Sequence, residues 1–136
     1  GVALRASLYP PRICLYRWNR AEYLQDGHAH KVAVQGDIKM LAEPIYHDDR
    51  KPYSRWMAAQ QKYAREEAVK LNSTAFKQLA VADKCRRLRL GPLLVVPYLL
   101  IRKGLIFDGA QGWEYIKQRL TAERLLQSAL KNAKGH

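Results

Sequence analysis

The sequence predicts an α+β fold in which a short region of strands and hairpins, about residues 1–47, is followed by a helical region that begins near residue 53. Two patterns support this division. Before residue 47, short apolar runs alternate with turn-forming stretches that contain proline, glycine and aspartate. After Pro52, apolar residues recur at the three- and four-residue spacing of a helix. The chain has 136 residues, which is enough for one domain with a real core.

The first region is predicted to contain four short strands, at 4–9, 12–17, 31–34 and 38–45. The first strand stops at Pro10, because proline fixes φ and cannot donate a sheet hydrogen bond. Asp26-Gly27-His28 is a turn signal. A tight turn around Gly36 predicts that the last two runs pair as a hairpin, whose far end leads to His47.

The helical region is predicted to contain four segments, from Ser54 to about Leu71 and then over about 75–89, 93–101 and 112–131. Ser54 is placed as an N-cap, since a serine hydroxyl can accept a hydrogen bond from the first amides of a helix. Gly91 and Pro92 are predicted to break the chain between the second and third segments.

Positive charge is concentrated in the helical region. The net charge is +12, and residues 1–52 hold 8 Lys and Arg against 6 Asp and Glu, whereas residues 53–136 hold 16 against 6. So basic a region implies a polyanionic partner, either nucleic acid or an anionic lipid surface, although a basic solvated face without a partner is the alternative. Cys14 and Cys85 have no metal-binding or redox spacing, which favours a reducing, cytoplasmic compartment.

Basic residues flank the apolar run from Leu90 to Ile101 on both sides. The run is about twelve residues long, whereas a span across a bilayer needs about twenty. Cations around a short apolar helix are typical of a helix that lies in a membrane interface, and a buried core helix with basic ends is the alternative. The flanking cations predicted to lie at the membrane surface are Arg86, Arg87, Arg89, Arg102 and Lys103.

Nucleic acid is a less suitable partner than lipid. Binding to single-stranded nucleic acid usually combines cations with aromatic rings on which bases stack. The run beside the basic cluster is mainly aliphatic, with Leu, Val and Ile, and its one ring is Tyr98. We therefore expect a lipid surface and no nucleic-acid partner.

Titratable residues cluster just before the first predicted helix, in the sequence His-Asp-Asp-Arg-Lys over 47–51. Such a run forms either the edge of a polar site or a solvated, salt-bridged turn. His28 and His30 would share one face of a strand, because side chains alternate. With Asp26, Asp48 and Asp49 nearby they could hold a divalent metal, although surface histidines near turns are more often not ligands. The sequence contains no P-loop, GxGxxG motif, zinc-finger spacing or Ser-His-Asp pattern.

These motifs occur in a recognisable order. A run from Arg12 to Arg17 leads to the Asp26-Gly27-His28 turn, and the stretch PIYHDDRKPYSRW leads to a YAREEA helix. The chain continues into KGLIFDGAQGWEYIKQRLTAERLL near its end. Over nearly the whole chain, this order resembles the C-terminal half of a family 2 glycosyltransferase, of the kind that adds sugars to the bacterial lipopolysaccharide core or related cell-envelope glycans.

The resemblance implies part of a GT-A glycosyltransferase fold without its N-terminal nucleotide-binding half. Residues 1–52 would form the acceptor-side β region, and residues 53–136 a helical, basic region apposed to the membrane. Such enzymes transfer a sugar from a nucleotide-diphosphate donor to a glycan or lipid-linked acceptor with inversion, usually with Mg²⁺ or Mn²⁺. The implied location is peripheral, on the cytoplasmic face of the inner membrane.

The resemblance also implies roles for single residues of the first region. Asp26 falls where the family places acidic residues on the acceptor side, so it would act as the general base or lie beside it. His28 and His30 correspond to a histidine-rich turn that contacts substrate or diphosphate. His47 corresponds to the histidine that ends the following strand, and would complete the metal or diphosphate shell.

Arg50 and Lys51 are suited to hold diphosphate oxygens, because both carry positive charge and several donors. The sequence departs from the family in one respect: it lacks the metal-binding DxD motif and the donor-binding strands, and Asp48-Asp49 does not replace them. The chain therefore reads as a fragment that is inactive alone. The alternative function is a non-catalytic, basic membrane-surface or interaction module that uses only the helices.

Overall fold

A computed structural model describes residues 4, 6, 8, 11–26, 29–43 and 50–133. A two-stranded antiparallel sheet is followed by a set of helices, so the α+β class is confirmed. The regular elements are β1 (Ala21–Asp26), β2 (Ala29–Val34), α1 (Tyr53–Ser73), α2 (Val81–Arg87), α3 (Gly91–Pro97) and α4 (Gly109–Asn132). Short 3₁₀ turns cover Trp18–Arg20, Phe76–Gln78 and Leu105–Asp108.

The hairpin lies one turn earlier in the chain than the sequence predicts. β1 and β2 pair from Ala21 opposite Val34 to Asp26 opposite Ala29. They therefore join across the Asp-Gly-His stretch, whose Asp-Gly pair is among the strongest short hairpin signals. The predicted return strand is wrong over its described part, 38–43, which is not a strand. The predicted strand at 12–17 is wrong as well, because this segment is irregular.

Helix α1 begins at Tyr53, with Pro52 rather than Ser54 at the N-cap position. The predicted cap is therefore wrong by two residues, and no side chain caps this end. Pro52 can take this place because it has no backbone N–H that the helix must satisfy. Helical spacing predicts one shared face for Trp56, Met57, Gln60, Tyr63, Ala64, Glu67, Ala68 and Leu71. This face is confirmed as inward at Ala64, Ala68 and Leu71, which are all buried, and is wrong at Tyr63, which is 37% exposed.

Two clusters of buried apolar side chains hold the helices together. The first joins α1 to the second half of α4 and consists of Ala64, Ala68, Leu71, Leu79, Leu126 and Leu130. The second joins α3 to the first half of α4 and consists of Val95, Leu99, Leu105 and Ile116. Helix α4 is thus the element on which both clusters are built, and it positions α3.

Helix α3 continues without a break into a π turn, Tyr98–Arg102. Gly91 and Pro92 begin the helix rather than break it, because proline suits the first turn, where amides lack partners in any case. Pro97 lies inside the helix and is followed directly by the wider turn, which the Lys103 N–H closes on the Tyr98 carbonyl at 3.1 Å. The predicted apolar helix is confirmed and extends somewhat beyond its expected bounds.

Candidate functional site

Helix α3 is apolar on two faces, and only one of them is covered. Val95 and Leu99 pack against α4, while the opposite face is open. The open face consists of Leu90, Leu93, Leu94, Pro97 and Ile101. Leu93 is 72% exposed and Ile101 is 82% exposed. A helix that is hydrophobic all round is normally buried or in contact with lipid, so the open face calls for a partner.

The 3₁₀ turn that follows α3 also exposes apolar side chains. Ile106 is 55% exposed and Phe107 is 72% exposed, while Leu105 between the π turn and Ile106 is fully buried in the second cluster. Leu105 is held close to α4 because Gly112 has no side chain, since a Cβ at position 112 would overlap the Leu105 carbonyl oxygen. We refer to the open face of α3 together with Ile106 and Phe107 as the apolar face.

The Arg86 side chain is paired with two carboxylates of the fold, Glu123 and Asp83. Its Nε donates to Oε1 of Glu123 at 3.0 Å, and its Nη1 donates to Oδ1 of Asp83 at 3.1 Å. Glu123 is only 6% exposed. Burial, the largest single influence, lowers the pKa of the Arg86 guanidinium, but the Glu123 and Asp83 carboxylates together raise it by more, so the net pKa is raised and the group stays charged.

The Glu123 carboxylate also explains why glycine begins α3. A Cβ on Gly91 would overlap Oε2 of Glu123. The start of α3, the end of α2 and the middle of α4 therefore meet around one buried carboxylate. A charged group at this depth needs a partner, and Arg86 supplies it.

Arg87 is likewise used within the fold. Its Nη1 donates to the carbonyl oxygen of Thr74 at 2.7 Å, and its guanidinium lies 5.9 Å from the centre of the Phe76 ring. The Lys84 ammonium lies 5.8 Å from the same ring. Both cations thus fasten α2 to the connection that follows α1.

The three remaining cations of the predicted membrane-surface set differ from these two. Among the described residues, the side chains of Arg89, Arg102 and Lys103 make no hydrogen bond, ion pair or ring contact. Arg89 precedes the open face of α3, and Arg102 and Lys103 follow it, at the last residue of the π turn and directly after it. At about 1.5 Å per helical residue, about 20 Å separates the two ends. We call these three cations uncommitted, since their side chains have no partner among the described residues. An apolar stripe with such cations at both ends suits a bilayer interface, where apolar side chains meet acyl chains and cations meet anionic head groups.

The polar site predicted in the first region lies mostly outside the described residues. His28 and His47 are outside them, and so are the side chains of Asp26 and His30, whose backbones lie at the hairpin end of β1 and β2. Arg50 and Lys51 are exposed just before α1, and each has an interaction partner. The catalytic, diphosphate-binding and metal-binding roles of this set therefore stay predictions.

Two shallow depressions are found in the described part of the chain. One depression of about 170 Å³ lies beside the hairpin, and another of about 170 Å³ lies between α1 and α4. Pockets for small-molecule ligands usually measure about 300–1,000 Å³. Within the described ranges, no group of three or more His, Cys, Asp or Glu is arranged to hold a metal ion.

None of the helices in the described part of the chain combines the length and apolarity needed to cross a bilayer. This agrees with the short length of the apolar run between Leu90 and Ile101.

Two residues important to this region were missed by the sequence prediction. Glu123 contacts Arg86 near the end of α2, and Gln127 contacts the Arg89 carbonyl between α2 and α3. Glu123 could have been found from the sequence, because it lies three residues before Leu126, on the inward face of α4, where a carboxylate requires a partner.

No family model, curated protein or solved structure matches this chain.

Proposed function

We propose that this chain is the acceptor-side, membrane-apposed portion of a glycosyltransferase that transfers a sugar from a nucleotide-diphosphate sugar to a cell-envelope glycan or lipid-linked acceptor, with inversion. The sugar-transfer part of the proposal is supported by the ordered motifs that resemble family 2. The membrane part is supported by one observation: the open face of α3 lies between three cations that have no partner among the described residues. The location that we propose is peripheral, on the cytoplasmic face of the inner membrane.

The proposed docking combines two forces. The apolar face would enter the boundary between head groups and acyl chains, and each apolar side chain so buried contributes about 1.5–3 kcal/mol. Arg89, Arg102 and Lys103 would lie at the level of anionic head groups, where each cation contributes about 1 kcal/mol. Because Arg86 and Arg87 are held by Glu123 and Thr74, their contribution to docking is expected to be smaller.

In the proposed reaction, Asp26 accepts the proton of the acceptor hydroxyl as the sugar is transferred. Arg50 and Lys51, with His28 and His30, contact the diphosphate of the donor. When bound, Mg²⁺ or Mn²⁺ would offset negative charge on the leaving diphosphate. His47 is the metal-binding candidate in this chain, and it lies outside the described residues, so its fit to a metal rests on the resemblance alone.

The membrane part is tested by vesicle sedimentation of the 136-residue chain. We expect binding to phosphatidylcholine vesicles that contain phosphatidylglycerol, weaker binding to neutral vesicles, and loss of affinity with added salt. The double variant Leu93→Asp and Ile101→Asp should bind at least about a hundredfold more weakly, since the loss of two apolar anchors costs about 3 kcal/mol or more.

The matched control is Val69→Asp, because Val69 is exposed on α1, which packs on the second half of α4, whereas α3 packs on the first half. The membrane part of the proposal is wrong if wild type ignores anionic vesicles, or if the control loses as much affinity as the double variant. Binding to RNA but not to vesicles at moderate salt would favour a nucleic-acid partner instead.

The enzymatic part is tested by sugar transfer. We expect no turnover by the 136-residue chain, because it contains no DxD motif. We expect turnover from a protein in which the reading frame before Gly1 supplies a DxD-bearing α/β half, and a fall in kcat on Asp26→Asn. Turnover by the isolated chain would refute the proposed division of labour, and a parent gene without such a half would refute the transferase itself.

A second candidate is a non-catalytic membrane-surface or interaction module. It is favoured by the observation that the apolar face and its three uncommitted cations all belong to the helical region. This module would bind anionic vesicles as described above, and the parent gene would lack the DxD-bearing half. The two candidates are thus separated by the gene and by sugar transfer rather than by vesicle binding.

A further inference from the structure

Arg89 adopts a backbone conformation that ordinarily belongs to glycine. Its φ is 65°, and it is the one non-glycine residue with positive φ in the described part of the chain. It stands directly behind α2, where its N–H donates to the Arg86 carbonyl at 2.9 Å and the Leu90 N–H donates to the Cys85 carbonyl at 2.9 Å. These two bonds form a Schellman motif, whose left-handed position is usually glycine or asparagine.

A side chain at this position destabilises the fold slightly. For an L-residue with a Cβ, the left-handed region costs about 1–2 kcal/mol. Glycine would satisfy the same backbone hydrogen bonds without that strain. The turn itself therefore does not require arginine at position 89, and we look for the role of this residue in its guanidinium group.

A contact from α4 holds this conformation. The Nε2 of Gln127 donates to the carbonyl oxygen of Arg89 at 2.9 Å, across 38 residues of sequence. Gln127 lies one turn beyond Glu123, so the two side chains fasten both ends of the short segment from Arg86 to Arg89. The direction in which Arg89 leaves the backbone is thus set by tertiary structure.

The guanidinium that this arrangement presents has no partner within the described residues. Arg89 directly precedes Leu90, the first residue of the apolar face, and is half-buried. A planar, always-charged fork suits bidentate recognition of phosphate. The Arg89 backbone is already fixed by the Schellman motif and by Gln127, so no backbone entropy is lost when it binds.

We infer that Arg89 binds the phosphate of an anionic phospholipid head group, and that Gln127 positions it by holding its left-handed backbone. This rests on the proposed membrane docking and makes it specific: one arginine of the Lys84–Arg89 cluster contacts the lipid, while its neighbours serve the fold. Arg89 is the lipid-binding residue, and Gln127 is a positioning residue.

The first test uses Arg89→Gly in the 136-residue chain, because this change removes the charge while improving the backbone. We expect a thermal midpoint equal to or above that of wild type, together with about fivefold weaker binding to vesicles that contain phosphatidylglycerol. The matched control is Arg65→Ala, which removes an equal charge from an exposed position on α1. It should weaken binding by less than about twofold, the effect of net charge alone.

The second test separates position from charge. Gln127→Leu keeps every cation but removes the contact to the Arg89 carbonyl. We expect it to weaken binding to the same vesicles about twofold to threefold, and to have no further effect when Arg89 is already glycine. Arg89→Lys should bind with an affinity between those of wild type and Arg89→Gly, because it restores the charge without the planar fork.

Each outcome decides one point. If wild type does not bind anionic vesicles, the membrane part of the proposed function fails. If wild type binds and Arg89→Gly loses no more than Arg65→Ala, the inference is overturned while the docking stands. If Gln127→Leu weakens binding equally in both backgrounds, its positioning role is refuted. Glycerol phosphate in solution should compete poorly, and full competition would mean that the ligand is a free phosphate compound rather than a lipid.

Discussion

Two regions of this chain differ in what stabilises them: the hairpin region, residues 11–43, and the helical region, residues 53–133. Every described residue of known burial between 11 and 43 is at least partly exposed. The ten buried apolar residues of the described chain all lie between Ala64 and Leu130. The hairpin region is therefore organised by strand pairing and turn chemistry, whereas the helices share two apolar clusters built on α4. A two-stranded hairpin without a covered face is only marginally stable by itself.

The difference also separates two kinds of exposed apolar residue. In the hairpin region, Leu15 is 78% exposed on an irregular segment and Trp18 is 86% exposed on a 3₁₀ turn, so the two share no face of a long element. On α3, the exposed residues form one helical stripe with cations at both ends. Exposure alone thus says little about function, and its arrangement on an element that is otherwise well packed says more.

The largest effect that would sharpen this comparison is expected from removing core volume. Leu99 is fully buried in the second cluster, so Leu99→Ala leaves a cavity and should lower the free energy of unfolding by about 3 kcal/mol. Leu24 is 46% exposed in β1, and Leu24→Ala should change it by less than about 0.5 kcal/mol. Urea unfolding of both variants, followed by circular dichroism, measures the difference. Equal losses would show that the hairpin shares in the cooperative core.

The next largest effect is expected at the buried carboxylate. Glu123→Ala removes the partner of a partly buried guanidinium and should cost about 2 kcal/mol, less than for a fully buried pair because Arg86 keeps Asp83. Asp83→Ala should cost less than about 1 kcal/mol, since its pair with Arg86 is more exposed.

The double variant Arg86→Met and Glu123→Leu tests the cause of that loss. If the cost arises from an unpaired buried charge, replacing both partners by apolar residues should recover most of the stability. Thermal unfolding of the single and double variants gives the answer. A double variant that is less stable than Glu123→Ala would mean that the ion pair itself stabilises the junction of α2, α3 and α4.

The sequence predicted the helical region better than the hairpin, for a physical reason. Helical spacing is a local signal, so the extent of α1 and the inward positions of Ala64, Ala68 and Leu71 could be derived from neighbouring residues. Strand pairing is a choice between segments. Both Asp26-Gly27 and Gly36-Asp37 are turn signals, and the sequence-based prediction used the second for the hairpin where the structure uses the first.

The candidate site divides in the same way. The sequence placed five cations around the apolar helix. In the structure Arg86 and Arg87 are bound inside the fold, whereas Arg89, Arg102 and Lys103 have no side-chain partner among the described residues. That distinction could not be predicted, because the carboxylate that engages Arg86 lies 37 residues away. The roles of Asp26, His28, His30 and His47 rest on the resemblance alone.

The smallest effect is expected in the hairpin region, at the contact between Tyr16 and Tyr23. Their rings meet edge to face with centres 6.3 Å apart, and their hydroxyls share a hydrogen bond. That hydrogen bond is the main reason that the pKa of Tyr16 is raised above its ordinary value. A raised pKa in the folded state means that the bond stabilises the hairpin below about pH 10, and that this stabilisation is lost as the pH rises through the raised pKa.

Tyr23→Phe keeps the ring contact and removes the hydroxyl, so it isolates the hydrogen bond. We expect the pKa of Tyr16, followed by NMR of its ring, to fall towards the ordinary tyrosine value, with little change in the thermal unfolding of the helices. Tyr98→Phe is the control, because Tyr98 lies on the π turn and should leave Tyr16 unaffected. If Tyr23→Phe instead lowered the unfolding temperature of α1 and α4, the hairpin would be coupled to the helical core, and the contrast between the two regions would have to be abandoned.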